Sequence, residues 1–317
     1  MAKKRIRKKR KRSYIKRNWS KYNQNLINRG ALDLFITEDA LEKWHHNEQK
    51  VKGGNKLYSD LTIILCLQFR QLFKIPLRQT QGLVASLLRL MQLALSTPNY
   101  STLSRRTASL NVEIPQYKLS KNVTLLIDAS GLKVYEAGEW AERKRGYNRH
   151  KRWRKLHIII DEDTQEIIAC DLTDNSVDDA EMAKDLLKAV EKPYKKLLGD
   201  TGYDKQKVYD PLDIMGIIPV IKPQKNAVKS NRGSPSYEAR NKAVECLQDE
   251  NKKKIWKKET GYSRRSLVET AFYRYKVTFR SQLLSRNFAN QRVEARLNCA
   301  ILNKMLSVGG TDNETIT

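Results

Sequence analysis

The chain has 317 residues, room for one large domain with an appendage or for two domains of about 150 residues each. Lys and Arg number 61 against 35 Asp and Glu, a formal net charge of +26 that exceeds what solubility requires and predicts a polyanionic partner, nucleic acid first. With 40% hydrophobic residues global disorder is excluded, no apolar run reaches the ~18 residues of a membrane span, and Cys66, Cys170, Cys246 and Cys299 offer neither zinc-finger spacing nor a disulfide framework.

Widely spaced thiols predict a reducing, intracellular setting. The basic start, Lys3 to Arg17, resembles the first segment of a signal peptide, but no apolar segment follows, so a soluble, unprocessed chain is expected. Residues 1–32 hold 13 Lys or Arg and no acid, which reads as a basic arm suited to phosphate contact or as a solvated tail.

Residues 33–115 read as a helical domain. Leu61, Ile64, Leu65 and Phe69 recur at helical spacing, and Leu83, Leu87, Leu88 and Met91 repeat it. Pro76 and Thr97-Pro98-Asn99 punctuate these helices. A third, short helix from about Ser101 to Leu110 carries Arg105 and Arg106. Three short helices ending in a basic one suit a helix-turn-helix-like DNA module; a plain helical bundle with solvated arginines fits the same pattern.

Strands are predicted next: Val123 to Ala129, Leu156 to Asp161, and Ile167 to Leu172 after the turn-like Glu162-Asp163-Thr164. A helix over about 177–190, a strand near Leu197 to Asp200, a helix over about 205–215 and a strand at 217–221 complete a mixed sheet flanked by helices. Residues 223–260 are lysine-rich with little periodicity and read as an insertion; a long helix is expected from Arg264 to Phe279, and residues 307–317 as a flexible tail.

Three acids stand out. Asp128 and Asp200 each close an apolar strand, where neighbouring strand ends bring side chains together at the sheet's edge. A strand-end Asp that merely starts a turn is an equally ordinary reading of either one. Glu269 carries more. Drawn as one α-helix, Tyr262, Arg265, Glu269 and Lys276 fall in a stripe about 60° wide, beside an apolar stripe of Val268, Phe272, Tyr275 and Phe279. One face would pack on the sheet and its shoulder would present the polar four; alternatively Arg265 and Glu269 form a surface pair worth a few tenths of a kcal/mol. Clustered carboxylates repel unless they share cations. Two Mg²⁺ ions, about 3.5–4 Å apart, would serve an in-line phosphoryl displacement, with Arg265 and Lys276 binding phosphates beside it.

The spacing Tyr262-x2-Arg265-x3-Glu269-x6-Lys276 resembles the signature helix of bacterial insertion-sequence transposases in the group combining the fourth and fifth families, most closely the fifth. Leu126-Ile127-Asp128-Ala129-Ser130-Gly131-Leu132-Lys133 and Gly199-Asp200-Thr201-Gly202-Tyr203-Asp204 resemble that family's two aspartate blocks, and Trp153 to His157 and Tyr100 to Arg106 are similar to it as well. The resemblance covers roughly residues 18–306. It implies an α/β, RNase H-like catalytic domain over 120–306 behind the helical domain. It also implies a DDE triad of Asp128, Asp200 and Glu269 holding Mg²⁺, with Mn²⁺ as a substitute. The implied activity is cleavage of double-stranded DNA at transposon ends and strand transfer into target DNA. Handling two ends implies a homodimer on DNA, in a nucleoid-associated cytoplasmic protein with no membrane partner.

Further DNA contacts are expected between Arg143 and Lys155, where eight Lys or Arg surround Tyr147, His150 and Trp153; Arg149, Arg152 and Trp153 are singled out. Trp256, among lysines, could stack on an extruded base or anchor its loop. Asp161, Asp171, Asp174 and Asp204 read as turn, cap or surface residues, and His157 as a packing residue. Two rivals remain: an RNase H-like nuclease without strand transfer, and a non-catalytic DNA-binding protein.

Overall fold

A computed structural model describes residues 18–46, 57–118, 120, 124–134, 153–191 and 193–309. Residues 1–17 of the basic arm, 310–317 of the tail, and 135–152 with Arg149, His150 and Arg152 lie outside the described residues. Helix α1 (Trp19–Asn28) is capped by Asn18 and α2 (Glu38–Glu42) by Thr37. Helices α3 (Asp60–Phe73), α4 (Leu77–Leu90) and α5 (Tyr100–Thr107) follow, begun at Ser59, Pro76 and Asn99. They pack on one another but not apart from the rest. Ile63, Phe69, Val84, Leu88 and Leu103 share one continuous core with Leu126, Ile158, Phe272 and Ile301.

Strands β1 (Thr124–Val134), β2 (Trp153–Asp161) and β3 (Ile167–Asp174) run antiparallel in turn. After α6 (Asp179–Lys188) come β4 (Lys196–Gly199), α7 (Gln206–Met215) and β5 (Ile218–Ile221), both strands joining parallel to give the order β3-β2-β1-β4-β5. A two-residue β6 (Gln282–Leu283) pairs with the far end of β1. This is the mixed sheet flanked by helices that the sequence predicts. Helices α6 and α7 cover one face over Leu125, Ile127 and Ile159; α10 (Ser266–Phe279) and α11 (Phe288–Ser307) cover the other.

Four sequence expectations need correction. Asp128 does not close its strand: β1 runs on through Val134, because Ala129 to Lys133 stay paired with β2. The lysine-rich stretch, expected to have little periodicity, forms two helices, α8 (Pro235–Leu247) and α9 (Glu250–Thr260), begun by Pro235 at the first turn and by an Asp249 cap. Tyr262–Arg265 form a 3-10 turn and not the first turn of the signature helix, because Gly261, at φ +74°, ends α9 immediately before it. Asp204 is buried, held by Arg240 at 2.6 Å, the Tyr209 hydroxyl at 2.7 Å and the Gln224 N–H at 2.9 Å, so it clamps the insertion to the turn after β4. The other acids serve as turn or ion-pair partners. Asp161 accepts the N–H groups of Asp163 and Thr164, Asp171 pairs with Arg292, and Asp174 with Arg154.

Helix α11 is lined with buried polar groups, and several of them satisfy backbone N–H and carbonyl groups. Glu294 accepts the N–H groups of Leu284 and Ser285, both at 2.7 Å, fixing the chain after β6. Asn303 accepts from the Ile167 N–H and donates to its carbonyl, both at 2.8 Å, and donates to the Pro115 carbonyl at 3.0 Å. The amide thus stands in for a missing strand at the outer edge of β3. Asn303→Leu should leave these groups unpaired and destabilise the fold by about 2–4 kcal/mol in urea unfolding; a loss under about 1 kcal/mol would contradict this role.

Candidate active site

Period-two alternation decides what faces what. Leu125 and Ile127 point toward α6 and α7, whereas Leu126 and Leu132 point into the core beneath α10. Asp128 and Ser130 share their parity and meet α10 and the turn before it. Strand β4 pairs with β1 only up to Leu126↔Leu198, and β6 rejoins β1 at Lys133. Among the described residues, 127–132 therefore have no strand partner on that side. Continued by two residues, the β1/β4 register sets Asp128 level with Asp200, in this gap.

The turn after β4 is built to expose Asp200. Its carboxylate accepts the Gly202 N–H at 2.8 Å, capping the 3-10 turn Thr201–Tyr203. A Cβ on Gly202 would stand 3.0 Å from that same oxygen, and one on Gly199 would stand 3.3 Å from the Ile127 side chain. A side chain at either glycine would be crowded.

From the opposite side, α10 buries Val268, Ala271, Phe272, Tyr275 and Phe279, including all four residues of the expected apolar stripe. That leaves its shoulder over β1. Lys276 Nζ donates to Ser130 Oγ at 2.7 Å. Arg265, in the turn before the helix, donates through Nη1 to Asp128 Oδ2 at 3.2 Å and through Nη2 to Glu269 Oε1 at 2.5 Å. One guanidinium thus bridges two of the three acids. Behind it, the Tyr262 ring packs on Trp256 with centroids 5.1 Å apart. Trp256 is 4% exposed, so it is a wall for the signature turn and not a platform free to receive a base.

Asp128 is the electrostatic centre. Burial pushes its carboxyl up to about 6, Asp200 and Glu269 push the same way, and the Ala129 N–H and Arg265 pull back. Burial opposes the charge on Arg265, but Asp128, Tyr262 and Glu269 outweigh it and raise its affinity for the proton. The Tyr262 phenol is raised first by burial. Behind β4, Tyr203 is buried with its hydroxyl unpartnered among the described residues, and burial followed by Asp128 holds it neutral.

Three carboxylates against one guanidinium leave a deficit of positive charge, and hard oxygen donors suit a divalent cation such as Mg²⁺. The donor set fits in chemistry. In this arrangement, however, no three His, Cys, Asp or Glu side chains among the described residues stand close enough to hold an ion between them. Arg265 fills the place between Asp128 and Glu269.

Other expected contacts divide. Arg105 is exposed at the end of α5. Arg106 is turned inward, paired with Asp60 and donating to the Tyr58 carbonyl, so its guanidinium is engaged in fixing α5 to the start of α3 and is not presented to a ligand. Trp153 opens β2 against Lys133, 5.7 Å from ring centroid to ammonium. His157 is buried, its Nε2 2.8 Å from Thr173 Oγ1. Ser130 and the supporting roles of Trp256 and Asp204 were not legible as site features; only the pairing of strand and helix exposes them. A cavity of about 600 Å³ lies elsewhere, along the outer edge of β3 by Cys170, Met182 and Tyr194. The acids lie outside this cavity, Glu269 exposed and Asp128 largely sheltered.

A pH dependence follows. The native Asp128 carboxyl, at about 6 against an ordinary 3.8, binds its proton more tightly than the unfolded chain does, so its ionisation costs stability as pH rises through that interval. Asp128→Asn should raise the stability of chelator-treated protein at pH 7.5 by on the order of 2–3 kcal/mol, and the gain should vanish as pH falls below 3.8. Thermal unfolding at the two pH values checks it; a variant less stable than wild type at pH 7.5 would contradict the assignment.

Two family descriptions match the chain, both "Transposase DDE domain", over residues 27–137 and 119–304. The second spans more than half of the sequence and takes in Asp128, Asp200 and Glu269. Among solved structures, a Mos1 transposase paired-end complex with left transposon end is similar over 64% of this chain and 80% of that one, at 10% identity and a TM-score of 0.23, a likeness too slight to carry argument. No helix among the described residues is long and apolar enough to cross a membrane. The long family match, over a sheet that brings an aspartate on β1 beside the helix carrying the glutamate, establishes that the chain belongs to the DDE-domain transposases, enzymes that act on DNA.

Proposed function

We propose that the protein binds the terminal inverted repeats of an insertion sequence, hydrolyses DNA at the ends to free a 3′-hydroxyl, and joins that hydroxyl to target DNA. Asp128, Asp200 and Glu269 are the catalytic and metal-holding residues. The observation that carries this reading is the meeting of α10 with the gap in β1: a guanidinium from the signature turn links Asp128 to Glu269, with Asp200 level across the gap.

Bound Mg²⁺, or Mn²⁺ in its place, supplies activation of the attacking oxygen and stabilisation of the leaving one. The chain's own groups do the rest. Asp128 is held in one orientation by the Ala129 N–H at 2.8 Å, and Asp200 by the Gly202 N–H, so both are fixed before substrate arrives. Lys276, hydrogen-bonded among the described residues to the Ser130 hydroxyl, can turn to a phosphate, and Arg265 can present its fork to another. Tyr262, backed by Trp256, holds that turn in place. Exposed Arg105 and half-buried Trp153 beside Lys133 extend the DNA path, together with Arg149 and Arg152 from outside the described residues. Two ends handled together call for two copies of the chain on DNA.

DNA carrying the inverted repeats that flank the gene, incubated with protein and Mg²⁺, should be nicked at the ends and joined to a target plasmid. Asp128→Asn, Asp200→Asn and Glu269→Gln should each lower nicking at least about a hundredfold while leaving DNA binding intact. Variants that cut like wild type would remove the triad, and nicking without joining would indicate a nuclease. Lys276→Ala should weaken binding to any DNA sequence alike and reduce the slope of log affinity against log salt by about one. An unchanged slope would place Lys276 off the phosphate path.

A further inference from the structure

We propose that Arg265 couples metal binding to DNA binding: its guanidinium clasps Asp128 and Glu269 until a DNA phosphate draws it away, so that the divalent-metal site opens on the DNA-bound protein. The inference rests on the assignment of Asp128, Asp200 and Glu269 as metal ligands.

A single cation here serves two acids. The planar fork reaches Asp128 through one nitrogen and Glu269 through the other, a geometry that a point charge cannot reproduce. Both Asp128 and Arg265 are largely sheltered, with side chains 19% and 21% exposed, so salt screens their pairing little. Glu269 is 57% exposed, and Arg265 is its hydrogen-bond partner. Its carboxylate is therefore the end of the clasp that can move. With the guanidinium between them, the acids are not gathered closely enough to share an ion.

Release is built into the same turn. Arg265 closes a four-residue 3-10 element that starts directly after Gly261 in a left-handed conformation, while the Tyr262 ring stays anchored on Trp256. The side chain can swing without moving α10, whose apolar face is fixed in the core. A phosphate oxygen pair accepts the same two donors that the carboxylates use. DNA therefore removes a competitor for the acids, and by reciprocity metal must tighten DNA binding by the same factor.

The test measures Mn²⁺ binding by the free-Mn²⁺ electron paramagnetic resonance signal, using the full chain with and without a mixed-sequence DNA duplex. Asp128→Asn protein with the same duplex serves as the reference for ions held by DNA alone. Wild type should bind Mn²⁺ roughly 5- to 150-fold more tightly with DNA than without. Arg265→Gln, without DNA, should already bind more tightly than wild type, and should gain less from DNA. Arg265→Lys, which keeps the charge but loses the fork, provides the same comparison where the glutamine variant fails to fold. Equal affinity of wild type with and without DNA, or an Arg265→Gln protein that binds no better than wild type, overturns the coupling. Failure of the underlying ligand assignment looks different: wild type with DNA would then bind no more Mn²⁺ than the Asp128→Asn reference.

Discussion

A charged carboxylate half-buried beside two others is the constraint around which this molecule is arranged. Asp128 sits where β1 has lost its partner on one side, because β4 ends at Gly199 and β6 does not begin until Gln282. A continuous sheet would have filled that position with hydrogen-bonded backbone. The gap instead admits Asp200 from the turn after β4 and Arg265 from the turn before α10, and the electrostatic need of the three acids decides what can occupy it. Desolvation, reinforced by repulsion from Asp200 and Glu269, holds the Asp128 carboxyl at about 6, a cost carried by the fold.

What holds the gap open is packing at a distance. Helix α10 lies over β1 through Val268, Phe272 and Tyr275, and α11 supports it from behind, with Asn298 bonding the Tyr275 hydroxyl at 3.0 Å. Glu294 fixes the backbone just past β6, and Asn303 finishes the edge of β3. The N-terminal helices contribute to the same core through Ile63, Phe69 and Leu103, so a DNA segment held on α5 would be registered against the acids through shared packing and not through a flexible hinge. The +26 charge supplies attraction over the whole surface; position is supplied by these buried contacts.

The succession of strands and helices and the four core residues of α10 could be read from alternation and spacing, because each of those segments keeps its apolar residues on a single face. Helix α11 could not. Its buried positions include Asn290, Gln291, Glu294, Asn298 and Asn303, which bond backbone groups or, for Asn298, the Tyr275 hydroxyl, partners that only the folded chain brings near, so the apolar period is broken there. Asp204 misleads for a related reason: it looks like a turn residue until Arg240, far along the chain, arrives to neutralise it. Arg265 was legible as a cation near the acids. Its double engagement was not, since a uniform α-helical wheel places it on a helix that starts one residue later. Trp256 carries the same lesson, with lysines around it in sequence and Tyr262 beneath it in space.

The central claim is that Asp128, Asp200 and Glu269 form one divalent-metal site at the break in β1. The most direct measurement is anomalous diffraction from crystals of the full chain bound to DNA in Mn²⁺. The account predicts anomalous peaks bounded by those three carboxylates, with the Arg265 guanidinium turned from Asp128 to a phosphate. Peaks located elsewhere on the protein, with Asp128 and Glu269 still clasped by Arg265, would contradict it.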